Sequence, residues 1–217
     1  LIKGIRSKFP CHGILSEEMS EPHGLDHDFL WVIDPLDGTV NFINGYPMFG
    51  ISIGVLHKGM PVVGVLFIPS PGVAGGQVFH AKLNGGAFVD GAPIRVYSGT
   101  DIDSKGLVSM PAQIPGHFRA GRKIKSKLTN LRSTGSITYE IALVASGVLQ
   151  CSAFSFPKIW DIAAGVVILN EAGGLVLMRT FQNNWEPLKS FLTPPGSYKE
   201  GGFEKWQGSI LMGNTQI

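Results

Sequence analysis

Asp34 and Asp37 lie three residues apart in WVIDPLDGTVNF, residues 31–42, where an apolar run empties into a turn. Two more acidic positions share that setting. The Glu17-Glu18 pair ends GILSEE, and Asp161 follows the apolar pair in KIWDIAAG. A carboxylate beside buried strands is costly unless it is paired or metal-bound. No lysine or arginine neighbours Asp34 or Asp37 in sequence, and Lys158 is the only cation near Asp161. Oxygen-only ligands without His or Cys suit Mg2+ or Mn2+. Two such ions bridged by a carboxylate favour in-line displacement at phosphorus. Pro35 fixes its φ, so both aspartates and the Leu36 carbonyl can face one point. Gly38 and Thr39 follow, with amides free to cradle an anion and a hydroxyl able to orient a water. Taken singly, each feature has an ordinary reading: an Asx turn at Asp34–Asp37, a solvated pair at Glu17-Glu18, a helix N-cap at Asp161. Their joint occurrence favours a metal site.

The rest of the sequence must bring these acids together. It has 217 residues, only 16% of them charged, with 29 Gly and 14 Pro. That composition implies many short elements, tight turns and much buried backbone. Residues 1–9, with Leu1, Ile2, Ile5 and Phe9 on one stripe, read as a helix entered part-way, so the natural chain is expected to begin upstream. A polar loop and the strand LWVID follow. FGISIGVLH and PVVGVLFI flank Lys58-Gly59-Met60 as a hairpin. Strands over 77–82 and 92–97 complete a largely antiparallel first half. Residues 106–110 form a short strand in the second. Residues 136–149 carry a helical stripe at Ile137, Ile141, Val144 and Val148, with Ser136 as N-cap. Residues 161–172 form a second helix closed by Gly173-Gly174, and GLVLMR and GSILMGN are strands. The expected fold class is α/β (α+β): a metal-binding lobe over 1–100 and an α/β lobe over 101–217 supplying Asp161 and the substrate rim. Net charge is +2 and the one basic cluster, 119–127, has no interleaved aromatics, so no nucleic-acid partner is expected. No apolar run is long enough to span a membrane. Two lone cysteines, Cys11 and Cys151, favour the cytoplasm or another reducing compartment.

The segments WVIDPLDGTVNFINGYPMFGISIGV and WDIAAGVVILNEAGG resemble the inositol monophosphatase family of metal-dependent, lithium-sensitive sugar phosphatases, and GILSEE is similar to its upstream acidic element. The resemblance runs from residue 1 to about 179. It implies a layered αβαβα fold, a homodimer, two or three Mg2+ ions (with Mn2+ as substitute), and direct attack of water on a phosphomonoester. Carried across, Glu17, Asp34 and the Leu36 carbonyl would hold one metal. Asp34 would bridge to a second, held by Asp37 and Asp161. Glu17 and Thr39 would position and deprotonate the water, beside Asp37. The Gly38 and Thr39 amides would hold the phosphate, and Gly135, Ser136 and Ile137 would border the substrate's ring. Glu18 follows the matched position and is expected behind it.

Three departures from the family pattern qualify this. Phe154 stands where inositol-specific members carry a ring-gripping Glu, and a phenyl group cannot accept those hydrogen bonds. Lys158 borders the same rim and could meet a second phosphate. A Thr-x-x-Asp element serving a third metal would lie before Leu1, and the polar insert at 192–204 exceeds the family's short turn. The expected activity is hydrolysis of a small polyol or sugar phosphate, with fructose 1,6-bisphosphate or 3′-phosphoadenosine-type nucleotides as alternatives. A family member turned binding protein is the alternative of another class, since some bacterial relatives associate with transcription and ribosome machinery. The six histidines show no ligand spacing, Trp31 and Trp160 are expected to wall the site, and Asn41 and Phe42 to buttress the turn.

Overall fold

The computed structural model describes the chain apart from residues 21–22, 71, 73–74, 112–125, 181–183, 193–201, 207 and 216–217. It opens with helix α1 (Ile2–Lys8) and builds a seven-stranded sheet in chain order: β1 (Gly13–Ser16), β2 (Phe29–Asp37), β3 (Gly50–His57), β4 (Met60–Ile68), β5 (Gln77–Lys82), β6 (Ala87–Val89) and β7 (Ala92–Pro93). Helix α2 (Thr39–Ile43) sits between β2 and β3. β1 pairs parallel with β2, and the later neighbours are antiparallel. The second half supplies β8 (Leu107–Ser109), β9 (Leu131–Arg132), α3 (Ile137–Ala145), β10 (Leu149–Phe154), α4 (Ile159–Glu171), β11 (Gly174–Arg179), β12 (Trp185–Pro187) and β13 (Ile210–Asn214). Its sheet runs β12-β11-β13-β10-β8-β9. This is the mixed α/β architecture that the alternation of strands and helices implied.

Alternation along the strands decides what each sheet face covers. Leu30, Val32, Leu56, Leu66 and Phe79 point inward and share one core with Ile141 of α3, Ile162 and Val166 of α4, and Ile210 and Met212 of β13. The two helices therefore lie between the sheets. Ile33 and Ile53 point to the opposite face and pack with Ile5 of α1 and Ile14. Among the described residues the layers are helix, sheet, helix pair, sheet.

Four of the differences from the sequence reading change how the elements join. β1 replaces part of the expected polar loop, because its four residues are buried beside β2 rather than alternating. The strand expected over 92–97 is only two residues long. α3 stops at Ala145, where the Ser146 hydroxyl turns back onto the Ala142 carbonyl (2.9 Å), and Leu149 already belongs to β10. α4 begins at Ile159, two residues before the expected start.

α4 rests directly on backbone where β3 and β4 carry Gly54 and Gly64. A Cβ on Gly64 would stand 2.2 Å from the Ala164 carbonyl oxygen. Overpacking of this kind costs about 1–3 kcal/mol. Gly64→Ala is therefore expected to lower the melting temperature by roughly 3–10 °C in a domain of this size. Unchanged thermal unfolding would contradict so close a seating of the helix.

Candidate functional site

Three junctions bring the acids together. β1 lies beside β2, so Glu17, just past the end of β1, places its amide on the Ile33 carbonyl (3.1 Å), next to Asp34. Asp34 faces Ser52 across the β2–β3 pair and is 1% exposed; its Oδ1 accepts the Leu36 amide at 2.9 Å, which closes the turn. The pairing register then shifts between Asp34 and Asp37, a bulge that re-aims the strand end. Asp37 meets the start of α3, where its Oδ2 accepts from Ser136 Oγ (2.7 Å) and the Thr138 amide (2.5 Å). A helix N-terminus favours a carboxylate through its unpaired amides and dipole. Asp161 is the third residue of α4 rather than its N-cap, and its Oδ2 folds back onto the Lys158 amide (2.6 Å). The Ser52 hydroxyl ties β3 to the same helix end through the Trp160 carbonyl (3.0 Å).

Electrostatics record how near these groups are. Burial pushes Asp34 up to about 8, and the neighbouring charges of Asp37 and Glu17 push the same way. Burial raises Asp161 to about 7, against the pull of the Lys158 amide and with a further push from Asp37 and Glu17. Asp37 is raised by burial, although the Ser136 hydroxyl and Thr138 amide lower it in part. Among the described residues no lysine or arginine is ion-paired with any of the three. Nor do three His, Cys, Asp or Glu side chains there close into a finished cage. The mutual repulsion is the more telling of these observations, because it puts the four carboxylates within electrostatic reach of one another, with the Lys158 charge offsetting Asp161 alone. Hard divalent ions fit that donor set.

The turn after Asp37 leads into α2 through Gly38. Gly38 has φ +83°, and a Cβ there would lie 3.0 Å from Ser136 Cβ and 3.1 Å from the Met48 carbonyl. Both the backbone angle and the space exclude other side chains. The Thr39 hydroxyl, on an exposed residue, donates to the Leu36 carbonyl at 3.0 Å. The Gly38 amide faces the Asp37 carboxylate and helps lower it, so that amide is shared between carboxylate and any incoming anion.

Gly135, Ser136, Ile137 and Phe154 line one hollow of about 180 Å³ with Met110, Pro111, Ser133, Glu140, Ala153 and Ser155. Phe154 is 5% exposed and supplies an apolar wall. The Ser155 hydroxyl is buried with no hydrogen-bond partner among the described residues. Ser136 joins hollow to acids through its bond to Asp37. Lys158, half-buried at the start of α4, lies outside the hollow lining. Glu18 is exposed. Trp31 does not wall the site: an odd position on β2 points to the face opposite Asp34, where its Nε1 donates to His12 Nδ1 (3.0 Å) and it packs beside α1. Asn41 does brace the turn, donating to the Met48 (2.5 Å) and Thr134 (2.7 Å) carbonyls. Residues 119–125 of the basic cluster, His117 and most of the 192–204 insert lie outside the described residues. Glu140 was missed. It was detectable, because 137, 140, 141 and 144 fall on one helical face, which places a carboxylate in the apolar stripe.

A family model described as the inositol monophosphatase family matches residues 1–206. The Nus factor SuhB of Escherichia coli is 36% identical over 190 residues, which cover 85% of this chain and 70% of that protein. A fructose-1,6-bisphosphatase/inositol-1-monophosphatase of Aquifex aeolicus is 32% identical over 172 residues, 77% of this chain and 63% of its own. Among solved structures, an inositol monophosphatase from Anabaena (Nostoc) superimposes with a TM-score of 0.77 at 32% identity, covering all of this chain and 79% of that one. The chain spans about two thirds of the length of the curated relatives it matches.

A carboxylate held above its ordinary range binds its proton more tightly when folded. That stability is fully present below the usual carboxylate range and is lost as pH climbs through about 7 and 8. The metal-free protein is thus expected to lose about 5 °C or more of melting temperature between about pH 5 and about pH 8. Asp34→Asn should flatten the slope, and millimolar Mg2+ should restore the wild type at the higher pH alone. A wild-type melting curve with the same pH slope as the variant would contradict the packing of acids described here.

Proposed function

Because the chain belongs to the inositol monophosphatase family, we propose that it is a divalent-cation-dependent phosphomonoesterase acting on a small phosphorylated alcohol. The observation that carries this reading is the convergence of Glu17, Asp34, Asp37 and Asp161 around the turn that leads into α2. Glu17, Asp34 and the Leu36 carbonyl would hold one ion; Asp34, Asp37 and Asp161 would hold a second. Mg2+ or Mn2+ in those places would supply Lewis acidity and an activated water for in-line attack at phosphorus. The chain's own groups do the remainder. Thr39, with its hydroxyl already on the Leu36 carbonyl, and Glu17 orient the water and take its proton. The amides at the start of α2 receive the phosphoryl oxygens, and Ser136 keeps Asp37 aimed inward.

The hollow beside Ser136 would take the alcohol. Its Phe154 wall offers no acceptor for ring hydroxyls, and a hydroxyl buried without a partner is costly. We therefore place sugar phosphates with fewer buried hydroxyls, fructose 1,6-bisphosphate, and 3′-phosphoadenosine-type nucleotides ahead of inositol monophosphate. Lys158 is the available cation for a second phosphate. Unpaired Cys11 and Cys151 are consistent with a reducing compartment, and no helix among the described residues is long and apolar enough to cross a membrane. A homodimer is proposed on the family's pattern alone.

A second reading comes from the name of the Escherichia coli relative, a Nus factor: a binding protein whose acidic pocket serves structure. Turnover decides between them. A phosphoester panel with saturating Mg2+ should show hydrolysis that falls at least about 1,000-fold in Asp34→Asn. No turnover of any ester by a folded, Mg2+-loaded chain would remove the enzyme. Phe154→Glu should raise kcat/KM for inositol 1-phosphate relative to a nucleoside monophosphate by about tenfold or more. An unchanged ratio would mean that Phe154 does not face the substrate.

A further inference from the structure

Glu140 is a buried carboxylate without a cation. It is 5% exposed, sits in the first turn of α3, and no lysine or arginine among the described residues is paired with it. Burial of such a group is tolerated when strong donors satisfy it. Three do. The Ser109 hydroxyl on β8 donates to Oε2, while the Thr134 amide (2.7 Å) and hydroxyl (3.0 Å) donate to Oε1.

Two branches then run from Thr134 toward the acids. Its carbonyl accepts Asn41 Nδ2 of α2 at 2.7 Å, and Asn41 also holds the Met48 carbonyl. Its hydroxyl accepts the Ser136 amide at 3.3 Å, and Ser136 Oγ reaches Asp37 Oδ2. We infer that Glu140 is a positioning residue, which clamps the 133–136 turn between β8 and the Asp34–Thr39 loop and so fixes the direction of the Asp37 carboxylate. An apolar residue at 140 would fill the same core position but leave the Thr134 amide without an acceptor, the Ser109 and Thr134 hydroxyls with only the Arg132 (3.3 Å) and Ser136 (3.1 Å) carbonyls, and the turn free to shift. The carboxylate is retained because it joins the second sheet to the acidic turn of the first.

The consequence is a cation affinity that depends on a residue which borders the hollow but commits its carboxylate to Ser109 and Thr134 rather than to the cation. The activity arm of the test rests on the phosphomonoesterase reading; the binding arm needs Mg2+ alone. The whole chain is compared with Glu140→Ala, Glu140→Gln and Ser109→Ala by Mg2+ calorimetry, by the Mg2+ midpoint of turnover and by melting temperature. Glu140→Ala should weaken Mg2+ binding about 10–100-fold, the range seen when groups orienting a ligand are removed. Glu140→Gln keeps an acceptor for Thr134 and should recover most of that loss, a rescue that mere filling of space does not predict. If Glu140→Ala does not fold, Ser109→Ala, farther from the acids, should raise the midpoint about threefold or more. A folded Glu140→Ala, or failing that a folded Ser109→Ala, whose Mg2+ midpoint stays within about twofold of wild type would overturn the inference. Wild type that binds Mg2+ yet hydrolyses nothing would remove the hydrolase reading and leave the calorimetry to decide this one. Wild type that binds no Mg2+ would remove both.

Discussion

The structure depends on a repulsion it does not relieve by itself. Asp34, Asp37, Asp161 and Glu17 are drawn together by β1–β2 pairing, a bulge and two helix starts, and the charges of Asp37 and Glu17 raise the cost of ionising Asp34 and Asp161. Close burial of like charges is unfavourable unless protons or cations intervene. The surroundings are built to hold the acids in spite of that. Asp37 takes two donors from the head of α3, and Asp161 takes one from the head of α4. Hydrogen bonding to the charged form offsets part of the desolvation, and divalent ions would offset the remainder.

Rigid packing keeps the parts in register. α4 sits against Gly54 and Gly64 of the first sheet, and its own Asp161 is thereby fixed over the β2 turn. α3 shares a core with both sheets, which fixes Ser136 and Thr138 against Asp37. A shift of either helix by an ångström would open the acids. Groups that must meet in one reactive geometry are better held by helices and strands than by loops. The small residues that let the helices close on the sheet are thus part of the site's construction, although none of them touches it.

Much of this was legible in the sequence, for identifiable reasons. Asp34 and Asp37 are set by local spacing and by Pro35, and Gly38 by a backbone angle, so the turn could be read from a dozen residues. The helices followed from apolar period, and the cap at Ser136 from its side chain. β1 was not legible, because Gly13–Ser16 is short, buried throughout and parallel to its neighbour, and so lacks the alternation that marks a strand. The role of Trp31 was misread because its nearness to Asp34 in sequence puts it on the other face of the strand. The helix expected from Asp161 begins two residues earlier, since Ile159 is needed in the core. Glu140 could be found as a carboxylate in an apolar stripe, but its partners could not, because Ser109 and Thr134 come from separate strands and turns that no spacing rule connects.

The central claim is that four distant acids form one cation site, and crystals soaked in Mn2+ test it most directly. The account predicts anomalous difference peaks within coordination distance of Asp34, Asp37, Asp161 and Glu17, with Asp34 touching two of them. Clear density for all four side chains with no Mn2+ among them would contradict it.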